Sequence, residues 1–258
     1  YHQGDRLESV ESRSRAIASI APFLPLQLVL RELDRTSQQK PEDVHSFNQA
    51  TGSAREALLV RLIRLGYLDK VAGYFHDAPL SSESSVAILD EFFRYGGAGL
   101  VESIVRPMND GYRNAGFEDL AAVAARNGDI KAAVYWAAKV STSWGRHTAL
   151  KAIIEPLLET DKPIERKIIV KLVELAIEDD DKFTRYSTLS GVVEIWNRQP
   201  VNESYLIWLQ VYPTVTDRSR SDLLADLETL LPVIGQLGRY AAVRSIADSI
   251  RDVGRWWP

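Results

Sequence analysis

Apolar residues recur along this chain with a helical period nearly everywhere. Ala54, Ala57, Leu58, Leu62 and Leu65 fall near one stripe at i, i+3 and i+4 spacings, with Val60 flanking it. The pattern predicts a helix over residues 54–65, N-capped by Ser53 and closed by Gly66. A second helix follows over residues 67–76, with Leu68, Val71, Ala72 and Phe75 on one face. Pro79 stops it, because proline disfavours the helical state in the residue before it.

This pair of helices recurs. Residues 119–126 and 130–140 are joined by the turn Asn127, Gly128, Asp129. Residues 146–158 and 164–177 form the next pair, with Pro163 placed as a first helical residue. Residues 186–196 and 203–211 are separated at Gln199 and Pro200, and residues 222–237 and 240–253 at Gly238. Several first helices share a loose signature: Arg, two residues, a small or apolar residue, then Leu or Ile. It starts at Arg13, Arg55, Arg146, Arg185 and Arg220, at spacings of 42, 91, 39 and 35 residues. The long gap holds two divergent units, around 86–105 and 117–140.

Such spacings predict an all-α chain, an α-solenoid of about six to seven helix–turn–helix repeats of TPR or HEAT type. The whole of residues 1–258 is expected to form one helical-repeat domain. An amphipathic helix pair cannot bury its face alone, so neighbours must stack. Residues 205–212 have strand propensity, but their setting between helices predicts a short buried helix. Two polar segments interrupt the array. Residues 36–53 form a long one that Pro41 could open into a short helix, and residues 79–85 read as a flexible connector.

Composition narrows the classes. The chain has 258 residues, 45% of them hydrophobic, which excludes global disorder. It has no cysteine, which excludes disulfides, thiolate zinc sites and a cysteine nucleophile. Its net charge is −4, and neither half is basic: 14 basic against 18 acidic residues to Asp129, then 17 against 17. Nucleic acid is therefore not an expected partner. No apolar run is long enough for a transmembrane helix; Arg61 and Arg64 break one stretch, and Pro22, Pro25 and Gln27 another. No signal peptide is read, so a cytoplasmic location without membrane contact is expected.

Catalytic chemistry finds no constellation. His2, His45, His76 and His147 are scattered, and packed or solvated histidines are expected at each. The glycine-rich run from Gly96 to Gly99 lacks the Lys and Ser/Thr of a phosphate loop, and reads as the end of the helix carrying Phe92 and Phe93. The acidic run Glu178 to Asp181 lacks EF-hand spacing and reads as a solvated turn, neutralised by Lys182 and Arg185. No catalytic, cofactor or metal residue is assigned, no cofactor is expected, and the chain is not expected to be an enzyme. Aromatics are the more informative class. Trp136 and Trp208 are expected to fill core. Trp144 sits in a predicted turn beside Arg146, a pairing typical of interfaces, although packing between repeats is the simpler reading.

The last forty residues carry a resemblance. Asp222-Leu-Leu-Ala-Asp-Leu, then Leu231-Pro-Val-Ile, Leu237-Gly, and the closing Ile250-Arg-Asp-Val-Gly-Arg-Trp-Trp-Pro resemble the C-terminal end of bacterial STAND-type NTPases. Upstream the likeness is architectural, with residues 13–33 also similar to their repeats. Leu231-Pro232 followed by Val243-Arg244 is faintly HEAT-like, without the usual intervening aspartate. Members of that family join an effector to a NACHT or NB-ARC ATPase and end in helical repeats. The resemblance implies a ligand-sensing, autoinhibitory C-terminal domain, with NTPase and effector domains in cis and a protein or other macromolecular trigger as partner. The start at Tyr1 rather than Met fits a fragment of a longer chain. No Walker motif is present, so none of the ATPase chemistry lies in these residues. Trp256 and Trp257 are expected to fold back and cap the last helix pair.

Overall fold

The computed structural model describes residues 12–38, 44–77, 82–96, 102, 105, 110–160 and 163–256. Among them every regular element is helical, and no helix is long and apolar enough to cross a membrane. The chain divides into two compact units, with the boundary between Val123 and Ala124.

The first unit holds α1 (residues 12–20), a 3-10 turn at Ala21–Phe23, α2 (Leu26–Gln38), α3 (Val44–Arg64), α4 (Leu68–Asp77) and α5 (Ser82–Gly96). Helix α6 (Asp110–Arg126) runs up to and across the boundary. The long α3 is the hub, packing on α2, α4, α5 and the 3-10 turn. Its Leu58 and Leu62 are fully buried as the stripe requires, and so are Leu59 and Ile63 beside it, while Ala57 and Leu65 are only half-buried. Gly66 ends it at φ 81°, where Gly66 N–H donates to Ile63 O at 2.8 Å and Tyr67 N–H to Leu62 O at 3.1 Å. This is the expected left-handed closure.

Helix α3 starts earlier than expected, at Val44, so Ser53 lies inside it and is not an N-cap. The polar 36–53 segment is thus partly helix. Its tertiary partner is Ser14 of α1, which is buried; its Oγ lies 3.2 Å from Ser53 Oγ and accepts from Ala54 N–H at 3.3 Å. The packing of α1 against this stretch overrides its weak helix propensity. Residues 78–81 of the expected 79–85 connector lie outside the described residues, and α5 is helical from Ser82. Across α3 and α5, Arg64 donates to both oxygens of buried Glu91, at 2.5 and 3.3 Å. That hydrogen bond raises the guanidinium above its ordinary value. Tyr74 of α4 donates to Asp34 Oδ1 of α2 at 2.5 Å, and burial pushes its phenol up to about 12.

The second unit holds α7 (Ile130–Ala137), α8 (Ser143–Glu159), α9 (Arg166–Ile177), α10 (Lys182–Asn197), α11 (Val201–Thr216) and α12 (Arg220–Trp256). Gly128 takes φ 80° in the turn before α7, and Asp129 caps that helix by accepting from Ala132 N–H at 3.0 Å. Asp181 caps α10, accepting from Phe183 N–H at 3.1 Å and Thr184 N–H at 2.9 Å. These bonds hold its carboxyl below the usual carboxylate range. Pro163 is not the first helical residue: α9 begins at Arg166 with Glu165 as N-cap. Its start is registered by Arg166 Nε, which reaches Glu203 Oε2 on α11 at 3.1 Å. Residues 205–212 are helical, within α11.

Each helix packs on the next but one. Helices α8, α10 and α12 form one row, and α7, α9 and α11 another, with α9 also touching α8 and α10. Hydrogen bonds recur at offsets of about 40 residues. His147 to Thr188 spans 41 residues, Lys182 to Ser221 spans 39, and Arg198 to Leu158 O spans 40. Within the first unit, Tyr74 to Asp34 spans 40 and Arg61 to Leu24 O spans 37. Neighbours within a row are drawn close. A Cβ on Gly191 of α10 would sit 2.9 Å from Ile154 Cγ2 of α8. Helix α12 is broken at Arg239 (φ 56°, ψ −159°), one residue after the expected break at Gly238. Gly238 is required there because a Cβ would collide with that of Ala242.

Gly191→Ala should therefore destabilise by about 1 kcal/mol, because overpacking against Ile154 exceeds the helix-propensity gain. Urea unfolding of the single and double variants checks this. In an Ile154→Ala background the same change should become neutral or stabilising.

Candidate interaction surface

The polar groups the fold cannot leave in water come first. The acidic run before α10 is not simply solvated: Asp179 is buried, accepting from Thr184 Oγ1 at 2.7 Å and Asp181 N–H at 3.0 Å. Arg185 helps to hold Asp181 low by its charge, but the carboxylates it pairs with lie outside that run. It is 2% exposed and donates through Nη1 to Asp179 O at 2.8 Å, through Nη2 to Asp222 Oδ1 at 2.7 Å and through Nε to Asp226 Oδ1 at 3.0 Å. Arg218 Nε faces Asp226 Oδ2 at 3.3 Å, and Arg218 Nη1 donates to Ile177 O. Burial pushes Asp226 up, against the pull of Arg185 and Arg218. Asp222 is held low, first by Ser219 Oγ at 2.6 Å and then by Arg185.

Ser219 also accepts from Asp222 N–H at 3.2 Å, so Ser219 caps α12 while its hydroxyl donates to the Asp222 carboxylate. The Ser-x-x-Asp spacing was a signal for this cap that the helical period alone did not reveal. The arginine signature is also explained in part. Arg146 Nε donates to Val140 O at 3.2 Å and Arg185 to Asp179 O, each six residues back into the loop before its own helix. Arg55 is turned inward as well, onto Tyr74 O at 2.5 Å. Arg13 and Arg220 are exposed.

What remains outside is aromatic. Trp144 lies in the first turn of α8 rather than in a loop, 67% exposed, so it is not packed between neighbouring helices. Arg146 points inward and does not join it at the surface. Phe183 sits 39 residues on, at the same place in α10, and is 72% exposed. Three residues further along each helix come His147 and Tyr186. The His147 ring lies 5.7 Å from that of Trp144. On the other row, Val201, Tyr205, Leu209 and Tyr212 expose about half of each side chain along one stripe of α11. Trp136 and Trp196 are buried, whereas Trp208 is half-buried, its ring 6.3 Å from Trp196 and 6.0 Å from Tyr212. Trp208 thus fills core only in part.

An open groove of about 480 Å³ runs between α10 and α12. Tyr186, Val193, Glu194 and Asn197 line one side, and Glu228 and Pro232 the other. Among the described residues no lysine or arginine lines it.

The remaining sequence candidates are placed as follows. His147 Nδ1 lies 2.7 Å from Thr188 Oγ1, but that hydroxyl donates its proton to Thr184 O at 2.8 Å. The imidazole therefore donates from Nδ1, the reverse of a base activating a nucleophile. His2 lies outside the described residues, as do the side chains of His45 and His76. Gly96 ends α5 after buried Phe92, and Gly97 to Gly99 lie outside. Trp257 and the side chain of Trp256 also lie outside, so the expected cap does too. Among the described residues, no three His, Cys, Asp or Glu side chains converge as metal ligands would.

Arg185→Ala should cost about 3 kcal/mol in urea unfolding, because it breaks a buried ion pair and leaves Asp226 with Arg218 alone. Asp222 titrates below its unfolded value of about 4, so its contribution is present above that pH and lost as pH falls. Asp222→Asn should therefore narrow the stability gap between pH 7 and pH 3; an unchanged gap would refute the assignment. No family model, curated protein or solved structure matches this chain.

Proposed function

We propose that the chain is an α-solenoid of about six to seven helix–turn–helix repeats that binds a macromolecular partner. Its more specific role is the ligand-sensing, autoinhibitory C-terminal domain of a bacterial STAND-type NTPase, in defence or cell-death signalling. The carrying observation is the recurrence at about 39 residues of side-chain bonds between alternate helices, together with the exposed pair Trp144 and Phe183. Bonds at that interval support a stacked array, and exposed rings in register support a surface for binding. The STAND assignment rests on the resemblance of the C-terminal residues. A sensor of this kind works by population shift, its trigger binding one state better than the other.

A free-standing scaffold joining two proteins is the second reading. The α11 stripe favours it, because it lies on a different row from Trp144 and Phe183 and supplies a second apolar face.

The mass of the native polypeptide separates the two. An antibody to this chain on a lysate of its source, followed by peptide mapping, measures it. A much larger product containing a Gly-Lys-Ser/Thr phosphate-loop peptide is expected. A product near 28.9 kDa would overturn the sensor and leave the scaffold.

A further inference from the structure

We propose that the groove between α10 and α12 docks an arginine side chain carried by a flexible segment of a partner protein. The inference rests on reading the chain as a partner-binding array, and it names the chemistry of that partner. Three features carry it.

The first is charge. Glu194 from α10 and Glu228 from α12 face the groove from opposite walls, and no cationic side chain among the described residues lines it. Arg198 meets Glu194 Oε1 at 2.9 Å, but both side chains are about half exposed, where such a pair contributes roughly 0–1 kcal/mol. Arg198 is also held by Leu158 O at 2.6 Å, so it has a partner of its own when Glu194 is engaged elsewhere.

The second is shape. The groove, at about 480 Å³, lies within the ~300–1,000 Å³ range of ligand sites. It is open, so it admits a side chain from a segment lying across α10 and α12 and does not enclose a free molecule.

The third is the match of surfaces to a guanidinium. Tyr186, 60% exposed, offers a ring face to a planar cation. Pro232 offers apolar surface to the methylene stem, and Asn197 adds a polar side chain to the wall. Carboxylates on two walls suit the fork of N–H donors on arginine better than the point charge of lysine. Phe183, three residues before Tyr186 and 72% exposed, extends the apolar surface toward residues flanking that arginine.

The probe is a capped leucine–arginine–leucine tripeptide, with its citrulline twin as a neutral isostere. Each is titrated into the ¹⁵N-labelled 258-residue chain and followed by amide NMR. The arginine peptide should shift amides in α10 from Tyr186 to Asn197 and in α12 around Glu228, saturably. The citrulline peptide should bind about threefold or more weaker, and Glu194→Gln with Glu228→Gln should remove the difference. Both changes are isosteric at exposed positions, so an unchanged spectrum elsewhere will show the fold intact. Equal binding of the two peptides, shifts confined to other helices, or full affinity in the double variant would each overturn the proposal. None of these results bears on the native mass, on which the sensor reading stands or falls separately.

Discussion

A guanidinium with almost no access to water sets the terms for the second unit. Arg185 cannot be left unpaired inside the protein, because the uncompensated charge would cost several kcal/mol. Its three partners come from the loop before α10 and from the first turns of α12. Pairing them brings residues 37 and 41 positions apart in sequence into bonding distance. Helix α10 is thereby fixed against α12 in one register, and the groove between them follows from that register. The backbone carbonyl and the two carboxylates each occupy a different edge of a planar fork, which a lysine could not reproduce.

The same interval solves a second problem, the orphan carbonyls at helix C-termini. Leu158 O near the end of α8 accepts from Arg198, Ile177 O of α9 from Arg218, and Asn197 O of α10 from Gln236 at 3.2 Å. Arg198 and Arg218 stand just after the next helix of the same row, and Gln236 lies within α12, the next helix after α10. Stacking thus satisfies polar groups that short helices would otherwise leave to solvent. Trp144, Phe183, Tyr186 and the α11 stripe take no part in these bonds and stay exposed.

Much of the local structure was legible in the residues. The Asn127, Gly128, Asp129 turn, the Gly66 closure and the helical state of residues 205–212 follow from turn chemistry and apolar period, which act within four or five positions. The surface was less legible. Asp179 sits in a run of four acids that looks solvated, yet it is buried because Thr184 and the Asp181 amide satisfy it. Trp144 and Arg146 are neighbours in sequence, but a helix turns them in different directions, one outward and one onto Val140 O. Ser53 reads as a cap, but the helix begins nine residues earlier at Val44 and Ser53 stands within it, its hydroxyl on Ser14 of α1.

The sequence alone determined that the chain is helical, where most of its helices run and how several of them end, because those properties depend on neighbours within a turn. It also showed a recurring arginine without showing what that arginine does. Which helices stack, which carboxylates meet Arg185, and which aromatics stay exposed were decided by the tertiary structure. Those outcomes depend on side chains about 39 residues apart, and no local period encodes which of two opposing faces will be covered once helices pack.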